Sequence, residues 1–194
     1  MTADREYTAR LQAQTAKGWK RLLGAQAPYR RHIRRVVEGR VLDIGCGIGR
    51  NLLHLGGNGV GVDINPHSIE VAREQGLTAY TSDEFGSSPH GVPGRYDSIL
   101  LAHVLEHMTL DQASDLIGEY LPYLRPGGRV VVIVPQEAGF PSDPTHVTFI
   151  DLEQLAVFEE RHGLFREKAY SFPFPRSVGR WFKHNETVAL SRKT

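Results

Sequence analysis

Val41-Leu-Asp43-Ile-Gly45-Cys46-Gly47-Ile-Gly49-Arg50-Asn51 runs an apolar strand into three glycines at alternate positions, after which a helix begins. In a doubly wound fold this is the first βα turn, at the carboxyl ends of the strands where ligands approach. Glycine is needed there because a Cβ would block both the tight turn and close approach of a ligand to the backbone. Asp63 closes the next apolar run, twenty residues after Asp43, and a carboxylate so placed can accept both hydroxyls of a ribose. The spacing separates two cofactor chemistries. A dinucleotide fingerprint reads G-x-G-x-x-G, its last glycine letting helix pack on strand beneath a pyrophosphate. Here that position is Arg50, which argues against a nicotinamide oxidoreductase. Asp43, just ahead of the turn, would repel a diphosphate and attract an amino group or a sulfonium.

Working outward, short apolar runs alternate with helical stretches from residue 40 onward. Strands are expected at Val41–Ile44, Gly59–Val62, Thr78–Thr81, Ser98–Ala102 and Arg129–Val134. Helices are expected around Asn51–Leu55, Pro66–Gln75 and Thr109–Leu124, with Leu124-Arg-Pro-Gly-Gly128 as a turn, since proline and paired glycines cannot continue a helix. A helix near Asp151–His162 and extended segments near Phe165–Phe172 and Thr187–Ser191 complete the chain. This alternation implies βαβ units and an α/β, doubly wound, seven-stranded and mostly parallel sheet. The first 38 residues read as an N-terminal helical extension carrying Leu11, Trp19, Leu22 and Leu23, with Pro28 ending or restarting the helix. Arg30, Arg31, Arg34 and Arg35 follow; a solvated helix face accounts for them, and a phosphate-bearing acceptor is the alternative. Residues 1–194 are read as one domain, its core at 40–194 and its acceptor-side loops at 136–150 and 172–186.

Four stretches in order carry a resemblance. Asp43-Ile-Gly-Cys-Gly-Ile-Gly49 resembles the first motif of class I S-adenosylmethionine-dependent methyltransferases, and Gly61-Val-Asp63-Ile-Asn65 their second. Tyr96-Asp-Ser-Ile-Leu-Leu-Ala-His103-Val-Leu-Glu106-His107 is similar to their fourth strand and following loop, and Leu121–Arg129 to the approach to their fifth. The resemblance spans roughly residues 40–165. It implies a Rossmann-like fold in which the backbone of Gly45, Cys46, Gly47 and Gly49 meets the methionine part of the cofactor, with Asp43 near its amino group. Asp63 would hold the ribose, Ile64 would lie on the adenine and Asp83 would meet the adenine amino group. Ala102 and His103 would lie beside the methionine end. Cys46 is read as a small packed residue rather than a nucleophile.

Methyl transfer from a sulfonium needs mainly the positioning of two reactants, and a base only for a poorly acidic acceptor. His107 and His146 are the candidate catalytic groups, and His146 leads because Pro141-Ser-Asp-Pro-Thr-His146 lies on the rim where an acceptor would sit. The other histidines, among them His32, His54, His90, His162 and His184, are assigned surface or packing roles. Glu106, His107, Asp143 and His146 could alternatively share a divalent cation such as magnesium. The stretch Tyr170–Glu186 mixes Phe172, Phe174, Trp181 and Phe182 with Arg176, Arg180 and Lys183. It reads as a packing or dimer surface, or as an acceptor wall with aromatic faces for a sugar or quinone ring and arginines for an acid group.

The expected activity is O-methylation of a small molecule. A sugar or glycoside hydroxyl comes first, on the similarity of the Asp-Pro-Thr-His loop to saccharide-methylating enzymes. A quinone-precursor ring hydroxyl is second, and a non-catalytic cofactor-binding module is a remote third. Composition agrees. The formal charge of +1 supplies no global field for nucleic acid, and no apolar run approaches the ~18 residues a membrane span needs. Cys46, the single cysteine, excludes an internal disulfide and suits a reducing, cytoplasmic setting. A small-molecule acceptor, no membrane, no nucleic acid and a homodimer are the expected partner pattern.

Overall fold

The computed structural model describes residues 27–194, so the helical reading of Leu11, Trp19, Leu22 and Leu23 lies outside the described residues. The described chain opens with α1 (Ala27–Val36), with Pro28 in its first turn, where its fixed φ and missing N–H are tolerated. Then follow β1 (Val41–Ile44), α2 (Arg50–His54), β2 (Gly59–Asp63), α3 (Pro66–Glu74), β3 (Ala79–Thr81), α4 (Ser82–Phe85) and β4 (Tyr96–Ala102). The second half holds α5 (Leu110–Tyr120), β5 (Leu124–Pro135), α6 (Leu152–Arg161), β6 (Leu164–Phe172) and β7 (Glu186–Lys193). Helix starts match local chemistry. Asn65 caps α3 through His67 and Ser68 N–H, and Thr81, Thr109 and Asp151 each form a capping box with the Glu or Gln three residues on.

The seven strands form one sheet in the order β3-β2-β1-β4-β5-β7-β6. The first five are parallel, while β7 runs antiparallel to both β5 and β6. Side chains alternate across it. Leu42, Ile99, Leu101, Val130 and Val132 pack on one face with Ile117 of α5 and Phe158 of α6. Val41, Leu100, Val131, Ile133 and Val188 pack on the other with Ile33 and Val36 of α1. Burial on both faces explains the near-continuous apolar runs. Strand order reverses between β1 and β4, so a crevice opens at their carboxyl ends.

Two expectations need correction. The helix expected over Thr109–Leu124 stops at Tyr120, and Pro122 lies in a 3₁₀ turn at Leu121–Tyr123. Leu124-Arg-Pro-Gly-Gly128 is not a free turn but the start of β5. Buried Leu124 pairs with Tyr96, and Arg125–Gly128 bulge out before Arg129 regains register with Ser98. Among the described residues no helix is long and apolar enough to cross a membrane.

Candidate active site

The glycine turn leaves β1 with Gly45, Gly47 and Gly49 at φ of 68°, 53° and 82°. An added Cβ would sit 2.5 Å from Val104 at Gly45 and 2.3 Å from Leu77 at Gly49, so side chains are excluded by space as well as by backbone angle. The turn is tied to β2. Gly45 and Cys46 N–H donate to Val62 O, and Gly47 N–H donates to Asp63 Oδ2 at 2.7 Å. Asp63 Oδ1 accepts from Asn65 N–H at 2.9 Å. Burial pushes the Asp63 carboxyl up, while these two N–H groups pull the other way. Each oxygen keeps a second lone pair for a ligand hydroxyl. Cys46 packs its sulfur toward Gly61, and burial raises its thiol well above the ordinary range, which suits a packing role.

Asp43 is buried, and neither of its oxygens makes an ordinary hydrogen bond within the protein. Burial raises its carboxyl to about 7, only partly offset by the nearby Asn51 side chain. An orphaned buried acid beside a glycine turn fits the ammonium of an amino-acid ligand. Ile64, directly after Asp63, is 63% exposed, an apolar face of the kind an adenine would cover. Glu84 is committed to the Thr81 cap and to Arg73, which leaves exposed Asp83 as the available acid of that turn. These features fit an adenosyl amino acid.

His103 follows β4 at φ 59°, a left-handed conformation that costs a non-glycine residue free energy. Its Nδ1 lies 3.2 Å from Glu106 Oε1 and its Nε2 2.9 Å from Glu186 Oε1. Burial opposes the charge, but the two carboxylates outweigh it and hold the imidazole pKa up to about 10. Both ring nitrogens of His103 face carboxylates, which favours its charged form and leaves neither nitrogen free. Glu106 is fully buried with Oε2 unpartnered, and Glu186 Oε2 is likewise without a partner.

The 3₁₀ turn Leu105–His107 and the loop after β5 meet through Val147 and Thr148 N–H donating to Glu106 O. This brings His107 and His146 to a ring-centroid distance of 4.8 Å. His146 Nδ1 lies 2.6 Å from Phe140 O, and a carbonyl only accepts, so Nδ1 carries the proton and Nε2 the lone pair. His107 Nδ1 faces Thr145 O at 3.3 Å and Thr145 Oγ1 at 3.0 Å. Thr145 donates its own proton to Asp143 Oδ1 at 2.7 Å, so His107 also bears its proton on Nδ1. Burial lowers the His107 pKa, which favours the neutral ring. One donor atom from each of Glu106, His107 and His146 falls within 4.8 Å of the others. Asp143 does not join them. Burial raises its carboxyl, but the N–H and hydroxyl of Thr145 more than offset this, and it orients Thr145 instead.

His107, Asp143, Thr145 and His146 line a cleft of about 550 Å³ that runs from Arg50 and His103 to Lys183, His184 and Glu186. The acceptor-wall expectation is only partly met. Arg176 is held by both oxygens of Glu137, and neither it nor Arg180 lines the cleft. Phe174, Trp181 and Phe182 are exposed outside the cleft, and Phe172 stacks on buried His32 at 3.8 Å. His184, expected in a surface or packing role, lines the cleft. In the sequence Arg50 figures only as the residue that breaks the dinucleotide pattern and Glu186 only as the end of the 172–186 loop, and neither is assigned to the site. Glu186 is set by a buried network in which Gln136 Nε2 donates to Glu186 O and Thr187 Oγ1, and Asn185 donates to Gln136 Oε1. A Cβ at Gly179 would lie 1.7 Å from that Gln136 oxygen.

A family model described as a methyltransferase domain matches residues 7–186. A 2-heptyl-1-hydroxyquinolin-4(1H)-one methyltransferase of Mycobacteroides abscessus is 32% identical over 115 residues, covering 55% of this chain and 51% of that protein. The chain thus spans about half the length of that curated relative. Among solved structures, a SAM-dependent methyltransferase from Archaeoglobus fulgidus superposes with a TM-score of 0.67 at 23% identity, covering 87% of this chain and 93% of the other. The N-methyltransferase NodS from Bradyrhizobium japonicum, solved with S-adenosyl-L-homocysteine, gives 0.64 at 18% identity with 85% of each chain covered. Glycine turn, orphaned acid, strand order and family match agree: the chain belongs to the methyltransferase-domain family and carries its doubly wound fold.

Proposed function

We propose that the chain methylates a hydroxyl of a small polar molecule, a sugar or glycoside, with His146 taking the hydroxyl proton. When bound, the cofactor supplies a methyl group on a sulfonium, whose carbon–sulfur pair leaves with sulfur as the carbon–oxygen bond forms. Asp43, the glycine turn and Asp63 hold that cofactor, and the cleft beyond His103 holds the acceptor. The observation that carries the reading is the His146 tautomer: Nδ1–H is pinned to Phe140 O, so Nε2 is the free base. Phe172, Phe174, Trp181 and Phe182 do not line the cleft, which favours a hydroxylated, non-aromatic acceptor over a flat ring. A ring hydroxyl is the runner-up, supported by the hydroxyquinolone named for the curated relative.

A second reading places a divalent cation on Glu106, His107 and His146. It is favoured by their three convergent donor atoms and by the orphaned Glu106 Oε2. Asp143 then serves as an outer partner through Thr145. The test is formation of S-adenosylhomocysteine from S-adenosylmethionine with a panel of sugars, glycosides and hydroxylated rings, with and without EDTA. The proposal expects turnover on a saccharide that persists in EDTA. Loss in EDTA restored by magnesium selects the cation, and turnover on ring hydroxyls alone selects the runner-up. Cofactor binding with no turnover on any acceptor selects a non-catalytic module.

A further inference from the structure

The glycine turn and Asp43 leave one group of the methyl donor without a partner, its α-carboxylate. The orphaned side-chain oxygens around the turn belong to Asp43, Glu106 and Glu186, and all carry the wrong sign for it. His103 cannot serve, because its two ring N–H groups are given to Glu106 and Glu186.

Arg50 ends the glycine turn and lines the cleft beside His103 and Glu186. Its guanidinium holds no acid among the described residues, whereas Arg73, Arg125, Arg129, Arg166, Arg176 and Arg192 each do. Tyr29 sits on α1 where that helix packs against α2. Its ring is 6.0 Å from His54 at the end of α2 and 6.5 Å from Phe172. The hydroxyl has no hydrogen-bond partner among the described residues. Burial first, then the charges of Glu186 and Asp43, hold the phenol in its protonated form against the pull of Arg50. A guanidinium offers paired N–H groups in a fork that matches a carboxylate, and a protonated phenol adds a neutral donor.

We propose that Arg50 and Tyr29 receive the α-carboxylate of the methyl donor, opposite the Asp43 that takes its ammonium. This makes α1 part of the cofactor site although it precedes the glycine turn in sequence.

Calorimetric titration of the whole chain with S-adenosylhomocysteine and with its decarboxylated analogue tests the assignment. The wild type should prefer the carboxylated ligand by ~10- to 100-fold, the range of a charge-assisted hydrogen bond. Arg50→Met should lose most of that preference, falling ~10- to 100-fold for S-adenosylhomocysteine and less than about 3-fold for the analogue. Tyr29→Phe should lose ~2- to 10-fold, again for the carboxylated ligand only. Equal losses for both ligands, or a wild type that does not distinguish them, would overturn the proposal. If Arg50→Met does not fold, Arg50→Lys decides. Keeping the charge without the fork, it should retain an intermediate preference, and an unchanged preference together with an unaffected Tyr29→Phe would again overturn it.

Discussion

The proposed cofactor half and the proposed acceptor half of the site are built by different means. Between β1 and β2 the backbone does most of the work: three glycines at positive φ, two N–H donors on Val62 O, and Asp63 tying Gly47 in place. Around His107 and His146 the shape depends on side chains from distant segments, pinned by Phe140 O, Thr145 and the Gln136–Asn185 network. A half made of backbone accepts one ligand class and tolerates little change. A half made of loop side chains can be altered without disturbing the other, and this separability is what substitutions can break.

The largest expected effect lies in the acceptor half. General-base assistance is typically worth ~10²- to 10⁴-fold, or roughly 3–5 kcal/mol of barrier. His146→Ala and His146→Gln should lower kcat in that range while S-adenosylhomocysteine affinity stays unchanged. A change confined to the acceptor KM would make His146 a binding residue. In the cofactor half, Asp63→Ala should weaken S-adenosylmethionine binding by ~1.5–3 kcal/mol per lost hydrogen bond to the carboxylate, measured by calorimetry. It should also lower the melting temperature, because Gly47 and Asn65 N–H lose their acceptor.

Asp43→Asn should separate stability from binding. The folded carboxyl titrates at about 7, above its unfolded value near ~3.9, so ionising it is harder in the folded chain. Its stability cost therefore opens above pH ~4, widens until pH about 7, and stays constant beyond. Ligand-free Asp43→Asn should melt higher than wild type at pH 8 and equally below pH ~4, yet bind cofactor more weakly. A lower melting temperature at pH 8 would mean that Asp43 has a stabilising partner in the fold. The smallest effect concerns His103. Its raised pKa contributes stability that is complete below pH ~6.5 and lost as pH rises through about 10. Glu186→Gln should flatten that decline in thermal melts, and an unchanged slope would deny the clamp a role in stability.

The same contrast explains what the sequence discloses. Gly45, Gly47, Gly49, Asp43 and Asp63 are legible because turn geometry and ligand charge impose residue type at fixed local spacing. The parallel strands are legible because burial on both faces leaves continuous apolar runs. Glu186 is not legible: it meets His103 across 83 residues, and only the antiparallel insertion of β7 beside β5 brings it there. Arg176 misleads for the same reason, since its partner Glu137 lies 39 residues away and takes it out of the cleft. The start of β5 reads as a free turn because the bulge at Arg125–Gly128 uses the residues a free turn would use.

The most direct measurement of the central claim is the position of the transferred carbon. With ¹³C-methyl S-adenosylmethionine and a saccharide acceptor, the account predicts an O-methyl resonance in the product. That resonance should be lost in folded His146→Ala protein that still binds S-adenosylhomocysteine. Label on nitrogen or carbon, or an undiminished O-methyl signal in His146→Ala, would contradict it.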